Sequence, residues 1–206
     1  RAGEIQQVPI PGTSLGMDVE TLELLEEYDV ETTVVAGDLG TKAGLGSVIR
    51  GVRKHPGAVD ILYNNAGIQN AWEPVWEIDS STWQKVFDVN LFAMIELTNA
   101  FAPGMLKRGF GRIINLSSGI RDIPQLAPYS VSKAAVDKYT ADLAAELEGT
   151  NVLVSALDPG WLRTDMGGPN GDHDVTTVLP GALIPALLPD GAPNGQRFEA
   201  QEYEWR

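Results

Sequence analysis

The stretch RIINLSSG, residues 112–119, decides the fold. Its first part is apolar and β-branched, as in a strand buried on both faces of a parallel sheet, and small polar residues follow at once. The same character recurs in ETTVVAG (31–37), VDILYN (59–64) and NVLVSAL (151–157). We therefore expect four buried strands, each covered on both faces.

Helical periodicity separates these apolar runs. The pattern predicts helices over about 18–28, 41–54, 81–107 and 129–148. Ser81 and Gln84 are typical of a capping box at the start of the third helix. Connections of this length favour parallel pairing over hairpins. The sequence thus predicts an α/β fold, a doubly wound, mostly parallel, Rossmann-like sheet, in one domain spanning 1–206.

The C-terminal part of the chain has a different character. Residues 165–195 are rich in Gly, Pro, Asn and Asp, which predicts an irregular lid or substrate loop. The segment GQRFEAQEYEW (195–205) is expected to supply a last strand.

Composition excludes several classes of function. The chain has 15 basic and 28 acidic residues and a formal charge of −13, so no nucleic-acid partner is expected. It has no cysteine, and its two histidines, His55 and His173, are not spaced as metal ligands. Proline and glycine interrupt the apolar run 178–189, and no secretory signal opens the chain. We expect no metal site, no membrane span and a cytoplasmic location.

Candidate functional residues follow the strands, because ligands of open parallel sheets bind beyond the carboxyl ends of the strands. NNAG (64–67), SSG (117–119) and DPGWLRT (158–164) occupy these positions. At the next helix start, Tyr129 and Lys133 are four residues apart and share one face. A nearby ammonium favours the phenolate of a tyrosine, whose free pKa is about 10.

Taken together, YSVSK (129–133), FDVN (87–90) and the three strand-end motifs resemble the short-chain dehydrogenase/reductase family, from about residue 30 to the end. Asn90 precedes Ser118 by 28 residues, a separation the family commonly shows. Ser118 precedes Tyr129 by 11 residues, two fewer than usual, and the shortening falls in a loop. We prefer Ser118 to Ser117 as the active serine.

The resemblance implies an NAD(P)-dependent oxidoreductase that interconverts an alcohol and a carbonyl compound. Tyr129 would exchange the proton with the substrate, helped by Lys133 and the oxidised nicotinamide, which lower the pKa of its phenol. Ser118 would hold the substrate oxygen, Lys133 the nicotinamide ribose, and Asn90 a water that relays protons. NAD or NADP contacts are implied for Asp38, Leu39, Asn64, Ala66, Gly67, Val89, Tyr129, Lys133, Pro159, Gly160, Leu162 and Thr164. A homodimer or homotetramer is also implied.

The sequence departs from the family at its N-terminal part. The TGxxxGxG phosphate turn has no match in its expected place. GTSLGMD (12–18) lacks the last glycine. GTKAGLG (40–46) fits the pattern, but only 24 residues separate Gly40 from Asn64, too few for two more strands. We expect an N-terminally incomplete sheet that lacks about 30–40 residues of a βαβ unit. A phosphate turn at Gly40, Gly44 and Gly46 stays the alternative.

Other interpretations remain open at this level. The chain could be a non-catalytic binding or scaffold protein on the same fold, or use the fold for dehalogenation or epimerisation. Asn64 and Asn65 could form a strand-ending turn, and Trp161 could contact substrate or anchor its loop. Residues at helical spacing that could serve the core or a subunit interface are Val136, Tyr139, Leu143 and Leu147.

Overall fold

The sheet of this protein is parallel. The structure is a computed structural model that describes residues 30–205 together with Leu25 and Tyr28. In the described residues the sheet has four strands in the order β1-β2-β3-β4. The strands are β1 (Ile61–Asn64), β2 (Gly111–Leu116), β3 (Val152–Asp158) and β4 (Arg197–Glu199). Every residue of β3 is buried, as expected for an inner strand. The predicted parallel α/β sheet and its last strand are confirmed.

The described residues contain four α-helices. They are α1 (Lys42–Lys54), α2 (Ser80–Phe87), α3 (Ala93–Arg108) and α4 (Ala127–Glu146). A π-helical turn, Asp88–Phe92, joins α2 to α3, and Gly109 ends α3 in the left-handed conformation, with φ of 73°. These bounds confirm the three helices predicted over about 41–54, 81–107 and 129–148. The helix predicted over 18–28 and the GTSLGMD motif lie outside the described residues, apart from Leu25 and Tyr28.

The predicted cap of α2 is wrong by two residues. The N-cap is Asp79, whose Oδ1 accepts from the backbone N–H of Thr82 at 2.7 Å and from the Ser81 hydroxyl at 2.8 Å. A carboxylate outcompetes a hydroxyl as acceptor for these donors. Gln84 instead donates to Asp88 Oδ1, one turn along the helix.

The prediction of a strand over 31–37 is also wrong. The structure assigns no strand there, and most of these residues are exposed. An apolar, β-branched run becomes a strand only where another strand offers a hydrogen-bonding ladder. Val35 packs against the position of Gly51 on α1, where any side chain would overlap it.

The described residues fall into two compact units, one ending at Lys54 and one beginning at His55. In the second unit, one face of the sheet packs on α3 and α4, through Met105, Ile113, Val154 and Leu147. The other face packs on the C-terminal segment, through residues such as Ile114, Leu157, Ala186 and Phe198. The sheet therefore has a separate apolar core on each face.

The continuous helical run Ser80–Arg108 is long and apolar enough to cross a membrane by length and composition alone. Several of its residues, however, are buried against the rest of the unit, among them Val86, Asn90, Thr98 and Met105. Thr98 accepts a hydrogen bond from Asn64, and Asn90 donates one to Ser132. These hydrogen bonds join the run to β1 and α4 of the same unit.

The segment 165–195 is irregular, as predicted, with only short 3-10 turns at Val175–Val178 and Gly181–Ala186. A buried arginine on β2 holds its end. Arg112, 1% exposed, donates to Leu188 O at 2.8 and 3.1 Å and to Asp190 Oδ1 at 3.1 Å. This guanidinium fastens the end of an irregular segment to the sheet.

Candidate active site

Three polar segments meet where β1, β2 and β3 end, and α4 begins beside them. A 3-10 turn, Pro124–Leu126, leads into α4. Asn70, in the loop after β1, donates to Gln125 O at 2.8 Å and so fixes this entrance. Tyr129 therefore lies in the first turn of α4, close to the residues that follow β2.

Tyr129 is half-buried, and the Ser118 side chain is near enough to its phenol to affect the pKa of the phenol. Burial raises the pKa of the phenol, the Ser118 side chain lowers it, and the charge of Asp158 raises it further. The net direction is upward. The sequence predicted that Lys133 and an oxidised nicotinamide together lower the pKa of Tyr129. The protein groups alone do not lower it.

The structure distinguishes the two serines after β2. Ser117 is buried, 2% exposed, and its Oγ accepts a hydrogen bond from Arg197 Nη1 at 3.1 Å. Ser118 is near enough to the Tyr129 phenol to lower its pKa, and its Oγ accepts a hydrogen bond from the backbone N–H of Ile120 at 3.2 Å. Of the two serines, Ser118 is the one beside the phenol.

Lys133 is buried, with its Nζ 5.7 Å from the centroid of the Tyr129 ring. The ammonium donates to Leu116 O, at the end of β2, at 2.7 Å. Burial lowers the pKa of Lys133 to about 8, while the carboxylates of Asp137 and Asp158 oppose the shift. At neutral pH the group is therefore mostly protonated, and its pKa is close enough to neutrality for proton exchange.

Asn90 lies in the π-helical turn and is 2% exposed. Its Oδ1 accepts from Ile68 N at 2.8 Å, and its Nδ2 donates to Ile68 O at 2.9 Å. Nδ2 also donates to Ser132 Oγ at 2.9 Å, and the Ser132 hydroxyl donates to Tyr129 O at 2.7 Å. Asn90 thus joins the loop after β1 to the first turn of α4. Its predicted part in a water relay remains a prediction.

Gly67 leaves space over these groups. A Cβ built on Gly67 would lie 3.4 Å from Lys133 Nζ and 3.6 Å from Asn90 Oδ1, so both atoms border one small volume. Ala66, just before it, is exposed. A flat ring could approach this backbone without meeting a side chain. The residues present therefore fit a nicotinamide cofactor.

The Asn64 side chain belongs to the interior. Its Nδ2 donates to Asn115 Oδ1 at 2.8 Å and to Thr98 Oγ1 at 3.2 Å, and Asn115 Nδ2 donates to Thr140 Oγ1 at 3.0 Å. The residue is 7% exposed. This network joins β1 and β2 to α3 and α4. The Asn64 side chain therefore has a structural role, and its predicted contact with the cofactor remains a prediction.

The loop after β3 carries four more predicted cofactor residues. Gly160 has φ of 82°, and its N–H donates to Asp158 Oδ1 at 3.0 Å. Gln201 donates to Pro159 O at 2.9 Å, and Leu162 forms a parallel bridge with His173. Thr164 is exposed and accepts from Gly167 N at 3.1 Å. The loop is thus fixed on several sides.

Trp161 anchors its loop through a hydrogen bond, and part of its ring is exposed to solvent. The indole Nε1 donates to Gly167 O at 2.9 Å, and the side chain is 52% exposed. A contact of Trp161 with substrate remains a prediction.

Val89, in the π-helical turn, is half-buried, and its predicted contact with the cofactor remains a prediction.

Asp38 and Leu39 belong to the unit that ends at Lys54. There Asp38 Oδ1 accepts from Gly40 N at 2.9 Å, and a side chain at Gly44 would overlap the backbone of Asp38. Tight packing at the start of α1 is therefore enough to explain Gly44. Contacts of Asp38 and Leu39 with adenine remain predictions, as does the phosphate turn at Gly40–Gly46.

Comparison with known proteins identifies the family of this chain. The sequence profile described as short chain dehydrogenase matches residues 16–174. The chain belongs to the short-chain dehydrogenase family. It is 39% identical over 135 residues to a 2-dehydro-3-deoxy-L-rhamnonate dehydrogenase (NAD(+)) of Sphingomonas sp., over 65% of this chain and 54% of that protein. The chain spans about half the length of the curated relatives it matches.

Solved structures of short-chain dehydrogenases share the fold. A gluconate 5-dehydrogenase from Burkholderia cenocepacia, in complex with NADP and tartrate, is 26% identical with a TM-score of 0.73, covering 89% of this chain and 80% of that one. An NADPH-bound carbonyl reductase from chicken fatty liver has a TM-score of 0.77 at 23% identity, covering 93% and 82%, and shows the fold alone.

Sequence reasoning missed several residues of the candidate site. Ser132 stands inside YSVSK, so its buried position on the same helix could have been anticipated. Asn70, Gln201 and Arg197 gave no local signal, because their partners lie 55, 42 and up to 80 residues away. Only the packing of the loops and of β4 brings them to the site.

Proposed function

We propose that this protein is an NAD(P)-dependent oxidoreductase that interconverts an alcohol and a carbonyl compound. The observation that carries the proposal is the series of contacts from Ser118 through Tyr129 to Lys133, whose Nζ borders the space at Gly67 together with Asn90 Oδ1. Each predicted catalytic side chain is within one or two contacts of the next. The family membership supports the same reaction class.

The side chains divide the work in the direction of carbonyl reduction. The raised pKa of Tyr129 keeps its phenol protonated near neutral pH, so it can give a proton to the carbonyl oxygen. The Ser118 hydroxyl, which is close to the phenol, can hold that oxygen in place. Lys133, with a pKa of about 8, can return a proton to the phenolate that remains. In alcohol oxidation the proton moves the other way.

A nicotinamide cofactor supplies or accepts the hydride when bound. Ala66 and Gly67 would let it approach the backbone, and Lys133 would hold its ribose. Pro159, Gly160, Leu162 and Thr164 would border the nicotinamide, and Val89 the ribose. We propose either NAD or NADP, because relatives are named with each.

The two rival functions have less support. A scaffold protein would not need a lysine buried beside a tyrosine, since burying a cation costs stability. Dehalogenation or epimerisation would not need the open backbone at Ala66 and Gly67. The site offers no observation that favours either rival.

We further propose a cytoplasmic homodimer or homotetramer whose partners are small alcohols or carbonyl compounds. Val136 and Leu147 are buried within one chain, so they serve the core. Exposed apolar residues on the helical surface, Phe92, Leu106 and Val131, are better candidates for subunit contact. Light scattering on the purified protein would show the oligomeric state.

The function is tested by titrating NADH and NADPH against the purified protein with fluorescence as the readout, followed by turnover of a panel of carbonyl compounds. Tyr129→Phe should bind the cofactor and lose turnover, whereas Tyr203→Phe, a matched change away from the catalytic residues, should retain both. Failure to bind either dinucleotide would contradict the proposal. Full turnover by Tyr129→Phe would contradict the role of the phenol.

A further inference from the structure

Arg197, on β4, contacts three other parts of the site. Its Nη1 lies 3.0 Å from Asp137 Oδ2 on α4, and its Nη2 lies 2.8 Å from Asp158 Oδ2 at the end of β3. Nη1 also donates to Ser117 Oγ at 3.1 Å, just beyond β2. The arginine side chain is about two thirds buried, with 31% exposure, so these contacts are partly shielded from water.

Each contact is next to a predicted catalytic or cofactor-binding residue. Asp137 lies one helical turn after Lys133, and Ser117 directly precedes Ser118. Asp158 Oδ1 accepts from Gly160 N at 3.0 Å, and Asp158 Oδ2 lies 2.8 Å from where a Cβ of Gly119 would be. One guanidinium therefore links the segments that carry the serine, the lysine and the cofactor loop.

Without Arg197, the side chains around it would carry an excess of negative charge. Asp137 on α4 and Asp158 on β3 bring two negative charges, and Glu199 on β4 lies 3.9 Å from Arg197 Nε. Arg197 and Lys133 carry the positive charges that oppose these carboxylates. Both aspartates raise the pKa of Lys133, and Asp158 also raises the pKa of Tyr129. The neutralisation of these carboxylates therefore matters to both proton-exchanging groups.

We propose that Arg197 is a positioning residue for the Tyr129–Lys133 pair, which it serves by offsetting the charge of Asp137 and Asp158 and by fixing the segments that bear Ser118 and Gly160. The proposal rests on the proposed function for its meaning in catalysis. Its electrostatic part concerns the protein alone and can be measured without turnover.

The test is the titration of Lys133, followed by the ε-carbon signal of labelled lysine in NMR spectra and assigned with Lys133→Arg. Arg197→Gln removes a cation and should raise the pKa of Lys133 by on the order of half a pH unit. Asp158→Asn removes an anion and should lower it by a similar amount. Arg197→Lys should stay close to the wild type, and Arg108→Gln, which breaks a single ion pair with Asp60, should leave the titration unchanged.

Opposite shifts of the Lys133 pKa in Arg197→Gln and Asp158→Asn are the decisive outcome. If Arg197 had only a structural role, the direction of the shift would not depend on the sign of the charge removed. In turnover, the pH profile of Arg197→Gln should move to higher pH and that of Asp158→Asn to lower pH. If Arg197→Gln fails to fold, Arg197→Met, which also removes the charge, takes its place, and an unshifted Lys133 in the neutral variant that folds would overturn the proposal. Opposite shifts in a protein without turnover would support the charge arrangement and contradict the proposed function.

Discussion

The two sides of the Tyr129–Lys133 pair are built from different interactions. On the side of the π-helical turn, Asn90 and Ser132 form neutral hydrogen bonds with each other and with backbone atoms. On the side of β4, Arg197 forms ion pairs with aspartates. Neutral hydrogen bonds fix where groups lie, whereas charges change how tightly protons are held. One pair of residues can thus be positioned by contacts on one side and have its proton affinity set by charges on the other.

The largest expected effect comes from Lys133 itself, the group that both sides share. Lys133→Met should lower turnover by roughly 10²- to 10⁴-fold, because proton exchange near the phenol is lost. Steady-state kinetics would measure this. Lys138→Met, which removes an exposed lysine paired with Asp142 on the same helix, is the matched control and should be neutral. A loss of less than tenfold in Lys133→Met would place the chemistry elsewhere.

Ser132→Ala tests the neutral side. It removes the donor to Tyr129 O and the acceptor for Asn90 Nδ2, and should lower the free energy of unfolding by roughly 1–2 kcal/mol. Turnover should fall about tenfold, with no shift of the pH profile, because no charge changes. Ser130→Ala, on the same helix, serves as the control. A shifted profile would show that the neutral side also tunes proton affinity.

Gly67→Val tests the space between the two sides. The methyl groups should obstruct the cofactor and raise its KM about tenfold, while the pH profile of kcat stays in place. Gly57→Val is the control, since the space around Gly57 is open. An unchanged cofactor KM would mean that the volume bordered by Lys133 and Asn90 is not where the cofactor binds.

The smallest effect is on stability and follows from the lowered pKa of Lys133. Between pH 8 and about 10.5 the unfolded chain binds a proton that the folded chain has released, so wild-type stability gains with rising pH. The gain should be on the order of 1 kcal/mol and should be absent in Lys133→Met. Urea unfolding of both proteins at pH 7 and pH 10 measures it. Parallel changes in the two proteins would show that Lys133 ionises freely.

Much of the fold could be predicted because its signals are local. β2 and β3 are buried on both faces, so their apolar runs could be recognised directly in the sequence. The run at 31–37 has the same composition and is no strand, because composition does not reveal whether a neighbouring strand is present. The prediction of an N-terminally incomplete sheet concerns residues that precede the described ones.

The candidate site was predictable to the extent that its residues share a motif. Tyr129 and Lys133 are four residues apart on one helix, so helical geometry alone places them together. Arg197 meets Ser117 across 80 residues of chain, and the pairing of β3 with β4 decides that contact. The interior position of the Asn64 side chain was likewise hidden, because strand ends offer both an inward and an outward face.

The most direct test of the central claim follows a label. NADH or NADPH carrying deuterium at the transferable position would be incubated with the protein and a carbonyl compound, and the alcohol would be examined by mass spectrometry. We predict one deuterium in the alcohol formed by the wild type and at least a hundredfold less product from Tyr129→Phe. Unlabelled alcohol, or equal product from both proteins, would contradict hydride transfer assisted by the Tyr129 phenol.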